Sequence, residues 1–302
     1  MIGAINLITL DMIFSGLPKL PDHGEEVSTE TFRIALGGGP LASLVTAARL
    51  GSQTRLVTSL GQDDLSRLTR SFLDKEPISL RSFTPEDAPG QINVSSVMTF
   101  PREDRCFASY FPGEDFYHTQ IHEKAAYLDD CRYILACAPC DELLRFLAAG
   151  GKRILYDVGW REDLSLENYG DLLKHVYAFS PNEKEALKIT GCTGAEEALK
   201  VLSGYVAVPI VKLGSEGALY WDRDRREQVH VPAFPVHAVD ATGAGDAFLG
   251  GLAHGLDQGW DLHRCVLLAN YCGGKATTAP GCLTARSTPE EFQSLLQEAG
   301  CL

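Results

Sequence analysis

The stretch "CRYILACAPCDELLRFLAAGGKRILYDV", residues 131–158, sets a short apolar run, a helical stretch and a second short apolar run end to end. The alternation continues through "LENYGDLLKHV", "YAFS" and "NEKEALKITG". Short buried strands alternating with helices make a parallel sheet with helices on its faces, so the chain is expected to be α/β. Further on, "YVAVPIVKLG" reads as a buried strand, "GSEG" as a turn and "ALYWD" as the returning strand. Three helices are then expected, at roughly 243–257, 261–276 and 288–299. The last opens with "STPEEF", where Ser287 or Thr288 can cap and Pro289 suits a first helical position.

Two regions depart from this scheme. "EEVSTETFRIAL", and "GQINVSSVMTF" followed by "RCFASYF", alternate polar and apolar residues as half-exposed antiparallel strands do. They predict a small second sheet, with strands from roughly 12–36 and 90–112, inserted into one domain covering residues 1–302.

The 302 residues are 45% hydrophobic, enough for a large core. No apolar run approaches the ~20 residues of a membrane helix, and the N-terminus lacks the basic start and cleavage site of a signal peptide. Nine cysteines, an odd number without regular spacing, suit reduced thiols better than a disulfide framework. A cytoplasmic location is therefore expected. A net charge of −13 argues against nucleic-acid binding through a basic surface. Any anionic ligand must be held by backbone N–H groups, a metal ion or a few placed basic residues.

The segment "DATGAGDAF", residues 240–248, supplies such a device. A helix starting near Gly243 would bury Phe248, Leu249, Leu252 and Leu256, leaving Gly243, Ala244 and Gly245 as a first turn with bare N–H groups. Free donors at the positive end of a helix dipole form an anion site. Asp246 would stand beside it, where a hydroxyl attacking phosphorus could lose its proton. The competing reading is a helix start capped by Thr242, with Asp246 a first-turn acid.

In "FSPNEKEAL", Ser180 to Glu183 fits the S-x-x-E capping box with Pro181 in first position. That leaves Asn182 and Glu185 on one face as oxygen donors suited to Mg²⁺ held mainly through water. "GGGPLASLVTAARLG", residues 37–51, fits G-x-G-x-x-A at Gly37, Gly39 and Ala42, or a tight turn opening a buried helix. Cys137 and Cys140 in "CAPC" have redox-pair spacing, although nothing else in the chain supports redox chemistry. The P-loop and protein-kinase motifs are absent, so any nucleoside triphosphate needs a different cradle.

Taken together, these stretches resemble the ribokinase-like (PfkB-type) carbohydrate kinases. "DATGAGDAF" resembles the family's C-terminal signature, "GGGPLASLVTAARLG" its N-terminal one, "PNEKE" its N-x-x-E element, "VKLGSEGA" its nucleotide segment and "GLPKLPDHGEEV" its opening into the lid. The resemblance implies a three-layer αβα fold with a mostly parallel central sheet and a small β-sheet lid, and transfer of the ATP γ-phosphate to a sugar hydroxyl. It makes Asp246 the general base and the amides of Gly243, Ala244 and Gly245 the anion hole. Asn182 and Glu185 would organise Mg²⁺ and phosphates; Lys212, Gly214 and Gly217 would line the nucleotide, with Asn270 on the adenine side. Asp11, Gly38, Gly39, Arg105 and Arg161 would serve the acceptor. ATP and Mg²⁺ are the implied cofactors, with a monovalent cation such as K⁺ left open. A nucleoside kinase of the same fold, a non-catalytic sugar or nucleotide sensor, and a homodimer formed through the lid are also compatible. Ala42 stands where the family usually has an Asn that bonds sugar hydroxyls, which speaks against ribose. No Lys follows Gly38, which disfavours a phosphosugar.

Overall fold

Tyr133, Ile134, Leu135 and Ala136 are all buried, although neighbours in a strand point to opposite faces. In the computed structural model, which describes residues 1–85, 88–100, 106–113, 115–137 and 140–298, the two faces enter two different cores. Ile134 and Ala136 join one, Tyr133 and Leu135 the other. Ile154 and Tyr156 divide from Leu155 in the same way. A sheet apolar on both faces must be covered on both, which is why these runs read as continuous hydrophobic segments.

The strands are β1 (Ile2–Ile5), β2 (Thr9–Ser15), β3 (Thr31–Leu36), β4 (Thr54–Thr58), β5 (Ser79–Ser82), β6 (Asn93–Thr99), β7 (Cys106–Tyr110), β8 (Tyr133–Ala136), β9 (Arg153–Tyr156), β10 (Ala178–Phe179), β11 (Val208–Lys212), β12 (Ala218–Asp222) and β13 (Glu227–Val231). Among the described residues, nine form the main sheet in the order β13-β12-β11-β10-β9-β8-β1-β4-β5. It is parallel from β5 to β11 and closes with the antiparallel pair β12 and β13. The polar edge strand β13 was not anticipated from sequence, because of "EQVHV" only Val231 is buried.

Helices cover both faces of the sheet. Asp141–Ala149, Leu166–Leu173, Glu183–Thr190 and Ala195–Leu202 pack on one, with Leu143, Leu172, Ile189 and Leu199 buried. Pro40–Arg49, Ala244–Asp257 and Leu262–Ala276 pack on the other, through Leu44, Leu252 and Val266. The middle helix of these three is buried from Ala247 to Leu256 because it lies between its two neighbours. A Cβ on Gly250 would lie 2.4 Å from the Ser43 carbonyl oxygen, and one on Gly251 would lie 2.9 Å from Cys272 Sγ. Glycine costs about 1 kcal/mol against Ala in a helix; here it permits close approach of the backbones.

The four remaining strands form the smaller sheet, β3-β2-β6-β7. Register aligns Ile13 with Arg33 and Val97, and Val97 with Phe107; the neighbouring row holds Asp11, Ala35 and Ser95. These rows share one face, because they are two residues apart on every strand. On the opposite face the Phe14 and Phe32 rings meet tilted at 49°, centroids 5.0 Å apart, and Phe32 is 52% exposed.

Candidate functional site

The two glycine-rich stretches, far apart in the chain, meet at Asp246. Gly39 precedes the Pro40–Arg49 helix with φ 80° and ψ −156°, a backbone open essentially to glycine alone. No local side chain caps this helix. Asn6, just beyond β1, does so from a distance: its Oδ1 accepts a hydrogen bond from the Leu41 N–H at 2.9 Å. The turn presents the Gly39 N–H to the Asp246 carboxylate. A Cβ on Gly38 would lie 2.4 Å from Asp246 Oδ2, so the carboxylate occupies space that only glycine leaves.

Asp246 keeps part of its surface on a cavity of about 370 Å³ lined also by Gly39, Cys137, Asp157, Asn182, Glu185 and Lys212. Burial pushes its carboxyl up to about 6, against the Gly39 hydrogen bond; Asp157 pushes the same way as burial and Lys212 the opposite way. A carboxylate with that affinity can hold a proton near neutral pH and is still ionised when needed.

The helix that carries it begins at Ala244, next to the expected start. Gly243 is the N-cap, in the left-handed region at φ 77°, and the first turn is Ala244, Gly245 and Asp246. Gly243 and Gly245 line the cavity. The Ala244 amide, expected to be bare, bonds back to the Ala241 carbonyl at 3.3 Å. Nor does Thr242 cap; its N–H and hydroxyl both donate to Asp240 Oδ1. Asp240 Oδ2 accepts from the Gly281 N–H at 2.8 Å, tying this loop to the one that brings Cys282 against Gly243.

Lys212 ends β11 and pairs with Asp157, beyond the end of β9, at 2.8 Å, both groups mostly buried. A Cβ on Gly245 would lie 2.9 Å from Lys212 Nζ, which places the ammonium beside the helix N-terminus. Asn182 and Glu185 also reach this cavity, but in a different role from the one read in the sequence. They, and not Ser180 and Glu183, are the capping box: Asn182 Oδ1 accepts from the Glu185 N–H, and Glu185 Oε2 from the Asn182 N–H, each at 2.9 Å. The helix begins only at Glu183, while the Ser180 hydroxyl is buried without a partner among the described residues. Burial raises the Glu185 carboxyl, helped by Asp157. Among the described residues, no three His, Cys, Asp or Glu groups converge as a direct metal cage. The donor set fits a hard cation held mainly by phosphate oxygens and water, with Glu185 and Asp157 in the outer layer.

A second cavity, about 530 Å³, lies between the smaller sheet and the loops at Val239–Thr242 and Pro280–Cys282. Asp11 lines it, together with Arg33 and Asp240, neither of which a local motif marks as a site residue. Cys282 lines this cavity and lies against Gly243 of the smaller one; burial raises its thiol, and the carboxylates of Asp246 and Asp11 raise it further. Arg161 is exposed and pairs with Asp163 at 3.2 Å, lining neither cavity. Arg105 lies outside the described residues. Asn270 is buried and donates to the carbonyls of Val231 and Pro232, so it fastens the exit of β13 and lines neither cavity. Gly214 opens the turn after Lys212, and Gly217 closes it where a Cβ would lie 2.1 Å from the Val231 carbonyl oxygen. Asp157 had one available signal, an acid ending the apolar run "KRILY", since ligands bind at the carboxyl ends of parallel strands.

Cys137 and Cys140 lack the environment of a redox pair. Burial, with Asp246 and Asp157, pushes the Cys137 thiol up to about 12, and Cys140 is raised well above the ordinary range by burial. Reactive cysteines need the opposite shift.

Known proteins give a consistent picture. The chain is 30% identical over 246 residues to a cytidine kinase of Thermococcus kodakarensis, covering 78% of this chain and 86% of that protein. It is 28% identical over 284 residues to an aminoimidazole riboside kinase of Salmonella typhimurium, covering 86% and 87%. The solved ribokinase of Thermotoga maritima superposes with a TM-score of 0.82 at 22% identity, over 98% of this chain and 99% of that one. The family model described as pfkB family carbohydrate kinase matches residues 2–289, and the chain belongs to that family.

Proposed function

We propose that this kinase transfers the γ-phosphoryl group of ATP to a hydroxyl of a sugar or sugar-like acceptor, with Asp246 as general base. The observation that carries the reading is the placement of Asp246: it faces the cavity of Lys212, Gly243 and Gly245, and lies next to Gly38 and near Cys282 of the other cavity. Phosphoryl transfer asks the protein for in-line positioning and for stabilisation of charge on the transferred group. Asp246 takes the proton of the attacking hydroxyl. The amides of Gly243 and Gly245, with the helix dipole and Lys212, meet the charge on the phosphoryl oxygens. Mg²⁺, when bound, would supply countercharge to the phosphates; Glu185, Asp157 and Asn182 are the residues placed to hold its water shell. The smaller sheet acts as a lid that keeps water from competing as acceptor.

The acceptor binds in the larger cavity with hydroxyls near Asp11, and its reacting end reaches toward Asp246 past the backbone of Gly38 and of Gly39, which lines the smaller cavity. A nucleoside acceptor is the second reading, favoured by the 30% identity to a cytidine kinase. ATP consumption against a panel of sugars and nucleosides tests both, and consumption with none of them would leave a sensor. The exposed aromatic side of the lid, with Phe32 and its partner Phe14, suits pairing with a second copy of the chain. Sedimentation of a Phe32→Glu variant as monomer against a dimeric parent would test that. No helix is long and apolar enough to cross a membrane among the described residues.

A further inference from the structure

We propose that the acceptor carries an anionic group, a carboxylate, phosphate or sulfonate, remote from the reacting hydroxyl, and that Arg33 recognises it, in place of the Lys that is missing after Gly38. This rests on the kinase reading above.

Among the described residues lining the larger cavity, Arg33 is the one basic side chain. It projects from β3 in the row of Ile13, Val97 and Phe107, so its immediate neighbours on the sheet are apolar. Its guanidinium crosses to the facing loop: a Cβ on Gly281 would lie 3.1 Å from Arg33 Nη2 and 3.7 Å from Cζ. Among the described residues it has no hydrogen bond or ion pair. The carboxylates nearby are already engaged. Asp240 gives one oxygen to Thr242 and the other to Gly281, and Asp11 also has a partner.

A half-buried guanidinium set in an apolar row of the sheet, with no acceptor among the described residues, is an attractor for an anion. Its position says which end of the ligand is charged. Moving along β3 away from Gly38 and Asp246, Ala35 comes first, paired with Asp11, and Arg33 follows on the next inward row, roughly 7 Å further. An acceptor with its reacting hydroxyl at Asp246 and its middle hydroxyls at Asp11 therefore brings its far end to Arg33. The uncharged base of a nucleoside would leave the guanidinium uncompensated there.

The test uses matched acceptors: fructose 6-phosphate against fructose, gluconate against glucose, and cytidine. With ATP, the parent protein is expected to favour a charged member by roughly 100-fold in kcat/KM. Arg33→Gln should bring the charged-to-neutral ratio close to one, mainly through KM, and Arg33→Lys should retain part of it. A parent that prefers fructose, glucose or cytidine, or an Arg33→Gln ratio equal to the parent's, overturns the inference. If no acceptor supports ATP consumption, the kinase reading fails separately, and thermal shift with the same compounds decides. Stabilisation of the parent, but not of Arg33→Gln, by a charged member supports the inference; no charge preference overturns it.

Discussion

The two cavities flanking Asp246 are built by different means. The smaller one is lined by main-chain groups at a helix start and by polar side chains already fixed, Lys212 paired with Asp157, and Asn182 and Glu185 held in their capping box. The larger one is roofed by side chains from alternate positions of four strands, and Arg33 stands there without a protein partner among the described residues. Backbone donors and paired charges suit a ligand part that is always the same, the phosphates. Strand side chains can be exchanged one at a time without moving the backbone, which suits the part that distinguishes one kinase from another.

That division can be broken experimentally, beginning where the effect is largest. Asp246→Asn should lower kcat by about 10³-fold or more with every acceptor, while ATP binding is retained; near-normal turnover would remove Asp246 from the chemistry. Gly245→Val should weaken ATP binding by roughly 100-fold, because the new side chain displaces Lys212 Nζ and covers the amide. Unchanged nucleotide affinity by calorimetry would count against the anion site. Asp11→Asn should raise the acceptor KM by about 10-fold or more and spare ATP affinity. If it behaves like Asp246→Asn, the two cavities are not functionally separate.

Smaller effects sharpen the same comparison. With the Asp246 carboxyl near 6, kcat/KM should fall about tenfold per pH unit below that value and level off above it. The stability effect has the opposite sense. A carboxyl raised in the folded state binds protons there before it does so unfolded, so stability falls as pH rises from the ordinary carboxylate range through 6. Asp246→Asn, always neutral, should therefore melt higher than the parent at pH 8. Cys140→Ser should leave turnover unchanged, since its thiol is buried and raised rather than activated.

Much of the fold was legible because the central strands are buried on both faces and their apolar runs admit no other sheet. The edge strand β13 was not, since an edge with one buried residue carries almost no periodic signal. The site divided along the same line. Asp246, Gly243, Gly245, Asn182 and Lys212 lie in short local patterns whose chemistry is set by neighbours in sequence. The capping residue misled at both starts, because it competes with the residues one or two positions away and the winner depends on tertiary contacts. Asn6 caps a helix distant in sequence, Asp157 becomes part of the site only through Lys212, and Arg33 only through Gly281. No window of sequence contains both members of those pairs.

The hydrogen bond from Gly39 to Asp246, and the seat that Gly38 leaves for the carboxylate, join segments about 200 residues apart. Loop closure on that scale is slow relative to local helix and strand formation, so the junction at Asp246 is among the last features that folding can complete. During synthesis, the N-terminal glycine turn must wait for Asp246 to emerge from the ribosome, and for Cys282 after it. A chain interrupted just before residue 246 therefore carries every strand of the main sheet but lacks the contact between Gly39 and Asp246.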